Sequence, residues 1–376
     1  MVWCGQMMNN SFTKDDTLVV KGTALLAMMW HHCFYPGRFE KYAVSFWPLT
    51  QSQAVNFAVF LKICVSLFAF VSGYGLEISL QKSFGDGGRI SGEKVSRWIG
   101  GRYVRSFSGY WIIVLLVWLI TSVIEGLPAK IYFRKSVWVG LFNMVVDFLG
   151  LGQLMGTPMM ISTWWYMSAA FAFIVAAPMM FILIHRMGGF FCLAMLAILP
   201  RIGGYTYTGG TDFFLFFPVF CIGMVFARYD GFGRIVKWTA SGKFRQPAAV
   251  ALFGCAAVIC YKLSYFLPTD QFGDIEYDYF VPVYVVLIFL TVRWLSFLKR
   301  PLILLGKHSA NVFLIHSFIR VRYLESFVYG RGYCLLIVAV LLGLSLLLSL
   351  ALEGAKKGLH FEQLTGYMVK RIENRV

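Results

Sequence analysis

The sequence predicts an all-α fold: a polytopic transmembrane helical bundle of about ten spans. Of its 376 residues, 59% are hydrophobic and only 14% are charged. Soluble domains are about 45–50% apolar and about 25% charged, so this composition excludes a soluble or disordered chain. The chain also contains a series of apolar runs, many of them close to the roughly 20 residues that a transmembrane helix requires.

The net charge of +16 is interpreted as basic cytoplasmic loops, because positive charge accumulates on that side of membrane proteins. No basic soluble domain is present, so nucleic acid is not an expected partner. The eight cysteines include no Cys-x-x-Cys pair, and we expect neither a metal site nor a redox motif. Residues 1–17 lack the features of a cleaved signal peptide, so the first span should itself direct insertion.

Eleven apolar runs are candidate spans. They lie near residues 18–36, 54–76, 104–124, 138–156, 164–184, 189–200, 213–228, 247–267, 279–298, 302–319 and 332–352. Basic connections at 77–105, 228–246 and 293–307 should be cytoplasmic, whereas 268–278 is acidic. With eleven spans, the first two basic connections would lie on opposite sides of the membrane.

Removing one central candidate resolves this conflict. The run at 138–156 contains Asn143, Asp147, Gln153 and three glycines. Such a segment is tolerated as a re-entrant loop where protein or water covers its backbone. We therefore predict ten spans with both termini cytoplasmic, and 189–200 is the shortest span retained.

The first span carries Lys21 and His32, which are eleven positions apart. At about 100° and about 1.5 Å per residue, both lie within about 20° of one helix face and roughly 16 Å apart along the axis. His31 points about 100° away from His32. Ionisable residues inside a span suggest a functional site. The alternative is a histidine that only hydrogen-bonds to a neighbouring helix.

Other polar residues also fall within or beside apolar runs. Lys62 could pair with an internal anion or line a cavity. Arg102 and Arg105 share a helix face and could grip phosphates, or could simply anchor the span at the membrane surface. His316 is a third histidine at membrane depth, whereas His308 lies beside a basic connection and should be solvated.

Five motifs occur in the order found in a known membrane family. They are Lys21 with His32; Phe70-Val-Ser72-Gly73; Arg102 and Arg105 followed by Tyr110 and Trp111; Trp165-Tyr-Met-Ser168; and Leu305-Gly-Lys-His-Ser309 ending in His316. With these five motifs in this order, the chain resembles the acyltransferase-3 family of bacterial integral-membrane acyltransferases over about residues 17–352.

The resemblance includes several departures from the family pattern. Lys21 stands where the family usually has arginine, and lysine lacks the planar fork of a guanidinium. The Trp-x-Leu-Ser-x-Glu motif has Ala170 in place of its glutamate. Ser108 and Asn311 replace a frequent proline and a frequent tyrosine.

The resemblance implies one membrane domain over residues 1–376, with a short cytoplasmic N-terminus and a basic C-terminal tail. It implies a bacterial plasma (inner) membrane enzyme that moves an acyl group, most often acetyl, from cytoplasmic acyl-CoA to a hydroxyl of a cell-surface or exported glycan. The expected partners are therefore the lipid bilayer, acyl-CoA and a glycan acceptor, with no metal cofactor. The acceptor, the acyl chain and the oligomeric state stay open.

The same resemblance assigns roles to individual residues. His32 would act as a general base or would transiently carry the acyl group, and Lys21 would orient or tune the site. The CoA phosphates would contact Arg102 and Arg105. The residues expected to line the site are Ser72, Tyr110, Trp165 and His316.

Two other functions fit a polytopic, aromatic-rich chain. A transporter of glycans or lipid-linked sugars could use the same intramembrane cations without transfer chemistry, and Lys21 together with the missing glutamate favours this slightly. A polysaccharide polymerase would depend on a lipid-linked glycan and not on CoA.

Overall fold

The computed structural model describes residues 12–85, 91–204, 211, 213–242, 244–263 and 279–374. These residues are almost entirely helical and include no strand. Their helices are α1 Lys14–Phe34, α2 Gln51–Phe60, α3 Cys64–Phe84, α4 Gly92–Glu125, α5 Leu127–Tyr132, α6 Val137–Phe148, α7 Gly152–Met155, α8 Trp165–Met187, α9 Gly189–Ile202, α10 Phe213–Arg228, α11 Gly231–Ala240, α12 Arg245–Leu263, α13 Val281–Trp294, α14 Lys299–Ser317, α15 Glu325–Tyr329, α16 Cys334–Gly358 and α17 Phe361–Glu373.

The predicted all-α bundle is confirmed. Among the described residues, six helical segments are long and apolar enough to cross a membrane, and α10 with α11, bent by 57°, could form a seventh. Helices α6, α9 and α13 are apolar but shorter. Helix α1 is not among the six, because Lys21 and its two histidines reduce its apolar character. The ten-span topology and the cytoplasmic termini stay predictions, and the acidic connection at 268–278 lies outside the described residues.

The segment predicted to be re-entrant is broken into two short helices. Helix α6 has 12 residues, so it rises only about 18 Å, well short of the roughly 30 Å of a bilayer core. Gly150, with a φ of 73°, separates it from α7. This geometry is consistent with a segment that enters the membrane and turns back, which stays a prediction.

Helix α4 is much longer than the predicted span at 104–124. It begins at Gly92 and has 34 residues, which correspond to about 51 Å. Arg102 and Arg105 therefore lie inside a continuous helix and do not mark its start. Apolar character locates the membrane-compatible part of a helix, whereas lysine, arginine and glutamate continue the helix well beyond it.

The basic tail predicted after about residue 352 contains a helix, α17, which packs along the first half of α4. Helix α11 was likewise not predicted. Both are short amphipathic helices without a long apolar run, so a search for spans misses them.

Close helix contacts hold the centre of the bundle. A Cβ atom on Gly22 would lie 2.1 Å from the carbonyl oxygen of Leu302, and one on Gly306 would lie 2.0 Å from that of Leu18. Helices α1 and α14 therefore touch backbone to backbone at two points. Helices α3 and α10 do the same, because Gly73 packs against the carbonyl of Phe220.

The N-terminus of α1 is fixed by a capping box. The Asp16 backbone N–H donates to the Thr13 side-chain oxygen at 3.2 Å, and the Thr13 backbone N–H donates to the Asp16 carboxylate at 2.8 Å. Both groups satisfy donors that a helix start leaves free. Two hydrophobic clusters fill the bundle, one around α1, α3 and α13 and the other around α4, α8 and α10.

Candidate functional site

A cavity of about 440 Å³ lies between α1, α3, α4, α8 and α14. Four of the predicted site residues line it: Lys21, His32, Ser72 and Trp165. The other lining side chains with polar or ionisable groups are His31, Tyr35, Lys62, Cys64, Ser106, Thr163, Tyr166, Thr211 and Ser309. Its volume is within the usual range for a small-molecule site.

Helix α1 forms one wall of the cavity. Lys21 and His32 both line it, as their shared helix face predicts, so the cavity extends over roughly 16 Å of this helix. His31 also contributes to the lining, but its Nδ1 donates to the carbonyl oxygen of Ala58 at 2.7 Å. This bond turns His31 toward α2. The ring nitrogens of His32 have no hydrogen-bond partner in the described part of the chain.

His316 lies behind His32, and not on the cavity surface. The two imidazole rings are 4.9 Å apart between centroids. Nδ1 of His316 donates to the carbonyl oxygen of Phe313 at 2.8 Å, so Nε2 accepts from the Ser317 hydroxyl at 3.1 Å. His316 is fully buried, and its local bonds fix its ring against His32.

Two hydroxyl groups near the cavity have no hydrogen-bond partner in the part of the chain described. They belong to Thr163 and Tyr166, and both oxygen atoms are buried. The Tyr166 hydroxyl lies beside Ser72. By contrast, Ser309 donates to the carbonyl oxygen of Gly306 at 2.8 Å. Buried polar groups are normally paired, so these hydroxyls are available to a polar ligand.

The described lining residues of the cavity include no aspartate or glutamate. Ala170 lines it at the position where the resemblance leads one to expect a glutamate. In the described ranges, no group of three His, Cys, Asp or Glu side chains is arranged to hold a metal ion. The charged lining of the described cavity is therefore basic, from Lys21 and Lys62.

The two arginines do not line the cavity. Nε of Arg102 donates to Ser79 at 3.1 Å, and its guanidinium lies over the Trp98 ring at 5.7 Å. Arg105 is more exposed and lies 3.7 Å from the Glu373 carboxylate on α17. Ser106, the next residue, does line the cavity. The arginines therefore lie outside the lining, on α4 and within four residues of the lining side chain of Ser106.

Tyr110 also lies away from the cavity. It is buried, and its hydroxyl donates to the backbone carbonyl of Asp147 at 2.6 Å. The Asp147 carboxylate further accepts from the hydroxyl of Tyr132 and, at 2.9 Å, from the backbone N–H of Met160. Tyr110 therefore holds the broken α6–α7 segment against α4. The sequence showed Asp147 only as a polar interruption and gave no indication of its partners.

The expectation that His308 is solvated is wrong, because its side chain is buried between α14 and α16. Its Nδ1 lies 2.8 Å from the Ser349 hydroxyl, which accepts from Asn311 at 3.0 Å. Asn311 also donates to Glu353, which accepts from Lys356 at 2.8 Å. Ser349, Glu353 and Lys356 recur every three or four residues, and that spacing could have indicated a polar face on α16.

One comparison with known proteins identifies a family. A family model described as an acyltransferase domain, that of the acyltransferase-3 family, matches residues 19–354. Comparison with curated proteins and with solved structures gives no significant match. The matched range covers nearly the whole chain and contains all eight predicted site residues. The protein therefore belongs to the acyltransferase-3 family.

Proposed function

We propose that this protein is a membrane O-acyltransferase that moves an acyl group, most simply acetyl, from cytoplasmic acyl-CoA to a hydroxyl of an exported or cell-surface glycan. One observation carries the proposal: His32 lines a cavity that Lys21 also lines, and its ring nitrogens accept or donate no hydrogen bond among the described residues. The family supports acyltransferase activity, and the cavity beside His32 supports a site for it there.

The cavity fits the acyl end of an acyl-CoA. Aromatic and aliphatic side chains, including Phe68, Trp165 and Phe313, supply most of its wall and would pack on the pantetheine arm. Arg102 and Arg105 precede the lining residue Ser106 on α4, and their guanidinium groups suit phosphates. With this end of α4 in the cytoplasm, Lys21 would lie near the entrance and His32 deeper in the membrane.

His32 would act as the general base. Its free ring nitrogen takes the proton of the acceptor hydroxyl while that oxygen bonds to the thioester carbonyl carbon. The carbon–sulfur bond then breaks, and the departing CoA thiolate recovers the proton from the imidazolium. In the alternative order, the imidazole nitrogen attacks the thioester first, and the carbon–sulfur bond breaks to release the CoA thiolate. The acceptor hydroxyl then attacks the acyl-imidazole, the nitrogen–carbon bond breaks, and the hydroxyl proton passes to the thiolate. The contact with His316 keeps the His32 ring in place in both orders.

The acceptor would bind among the hydroxyl groups near His32. The hydroxyls of Tyr166 and Thr163 are unpaired in the described part of the chain, and the Trp165 ring offers an apolar face. A sugar could hydrogen-bond to Tyr166 and Thr163 through its hydroxyls and stack a C–H face on the Trp165 ring. Lys21 would provide positive charge near the acyl donor.

Membrane vesicles with the cytoplasmic face outward would test the proposal. They would receive radiolabelled acetyl-CoA, and label would be counted in the glycan and lipid fractions. The comparison is between wild type, His32→Ala and the matched control His360→Asn, which changes an exposed histidine far from the cavity in sequence. We expect transfer with wild type and the control, and loss of transfer with His32→Ala at equal expression.

The other outcomes separate the alternatives. Near-full transfer by His32→Ala would remove His32 from the mechanism. Movement of a glycan or lipid-linked sugar without any requirement for acyl-CoA would support a transporter. Chain extension that depends on a lipid-linked glycan alone would indicate a polymerase.

A further inference from the structure

A buried arginine lies about one helical turn beyond His316, one of the two paired imidazoles. Arg320 follows His316 by four residues, within a π-helical segment at Phe318–Tyr323 that continues α14. It is only 8% exposed. Short π-helical segments inside α-helices occur frequently at functional sites, because the extra residue redirects the side chains that follow.

Two hydrogen bonds in series connect Arg320 to α1. Its Nη1 donates to the Tyr329 hydroxyl at 3.2 Å, and that hydroxyl donates to the carbonyl oxygen of Cys33 at 3.0 Å. Cys33 directly follows His32 in the last turn of α1, where helix carbonyls lack partners within the helix. Burial raises the pKa of Tyr329, in α15, to about 12, so its hydroxyl keeps the proton that this bond requires.

The charge of Arg320 is not balanced by an ion pair with any acid in the described ranges. Glu325, five residues later, pairs with Arg38 at 3.2 Å. The Nε atom of Arg320 is buried and has no hydrogen-bond partner among the residues described. A buried charge without a counter-ion is costly, so its presence here requires a reason.

We propose that Arg320 is a positioning residue for His32: through Tyr329 it fixes the last turn of α1, and its charge disfavours protonation of the His32–His316 pair. A neutral imidazole is the form that can accept a proton or attack a thioester. A nearby cation opposes the formation of a second positive charge. The part of this proposal that concerns transfer rate rests on the proposed function.

Other ionisable groups also surround His32, and they are held constant in the test. They are Lys21, His31, Cys33 and Tyr35 on α1, Lys62 on the 3₁₀ turn before α3, Cys64 on α3, Tyr166 on α8, His316 on α14 and Tyr329 on α15. Only Arg320 and its bond to Tyr329 are altered, in separate variants.

The first measurement follows protonation and needs no activity. Diethyl pyrocarbonate modifies neutral imidazoles, so its reaction with His32 can be mapped by mass spectrometry across pH in the full-length protein in nanodiscs, with exposed His360 as internal reference. In Arg320→Gln we expect the midpoint for His32 to move to higher pH by about one unit, the order of effect that loss of a nearby like charge has on an imidazole. Arg320→Lys and Tyr329→Phe keep the charge and should keep the wild-type midpoint.

The second measurement is the rate of acetyl transfer. Tyr329→Phe breaks the link to Cys33 without removing charge, so kcat should fall about tenfold with an unchanged acid limb. Arg320→Gln should also move the acid limb upward. Arg320→Met removes the same charge and keeps an apolar stem, so it replaces Arg320→Gln if that variant does not fold.

Each result has a separate meaning. An unchanged His32 midpoint in the folded Arg320→Gln or Arg320→Met variant would overturn the charge role, and a wild-type rate in Tyr329→Phe would overturn the positioning role. An equal shift in Arg320→Lys would also overturn the charge role. Absence of transfer by wild type would refute the proposed function, whereas the chemical modification would still decide the charge role.

Discussion

Gly306→Ala should disturb the site although residue 306 does not line the cavity. Its added Cβ would lie 2.0 Å from the backbone carbonyl oxygen of Leu18, whereas an ordinary contact begins at 3.4 Å. The difference, 3.4 − 2.0 = 1.4 Å, must come from separation of α1 and α14, because backbone atoms cannot move aside as a flexible side chain can. Overpacking of this kind costs about 1–3 kcal/mol.

The displacement would also reach the chemistry. Lys21 and His32 are on α1, whereas Ser309 and His316 are on α14, so separation of the two helices changes the distances between them. Misplacement of catalytic groups by about 1 Å can reduce a rate by about a hundredfold. We therefore expect a lower melting temperature in nanodiscs and a fall in kcat for acetyl transfer that exceeds the change in KM.

Gly343→Ala is the matched control. Gly343 lies in the middle of α16, and nothing lies within 4 Å of the Cβ that alanine would add. The same substitution there should be neutral, or stabilising by up to about 1 kcal/mol through helix propensity. If Gly306→Ala retained both the melting temperature and the transfer rate of wild type, the close contact between α1 and α14 would not position the site.

Two further predictions concern residues outside the cavity. Asp147→Ala removes the carboxylate oxygen that accepts from both Tyr132 and Met160, so two buried donors lose their partner at a cost of about 1–3 kcal/mol each. Thermal unfolding measures this, and an unchanged melting temperature would contradict it. Arg105→Gln should raise the KM for acetyl-CoA several-fold and leave kcat nearly unchanged, because the guanidinium is proposed to bind phosphate and not the reacting atoms. Steady-state kinetics with varied acetyl-CoA measure both constants, and an unchanged KM would exclude Arg105 from the donor site.

Helix periodicity and apolar runs predicted much of this molecule. The step of eleven between Lys21 and His32 placed both on the same cavity wall, because helix geometry is regular over three turns. The eleven apolar runs each correspond to helices in the described part of the chain. These features are local in sequence, so they can be predicted without knowing how the helices pack.

Features that depend on contacts between distant helices were not predictable in this way. His308 was expected in solvent because basic residues precede it, yet Ser349 on another helix lies beside it in the core. Tyr110 was expected at the site, but Asp147 on α6 holds it elsewhere. Each outcome depends on a partner 37 or 41 positions away, which a single sequence does not identify.

The family motifs combine two physical tasks within one helix turn. In α3, Gly73 allows backbone contact with α10, and the adjacent Ser72 lines the cavity. In α14, Gly306 allows contact with α1, and Ser309, three residues later, lines the cavity while bonding back to the carbonyl of Gly306. A glycine sets the distance between two helices, and the nearby serine depends on that distance to face the cavity. Helix packing therefore explains why these motifs contain a glycine, and the close helix contact at that glycine positions the nearby serine at the cavity.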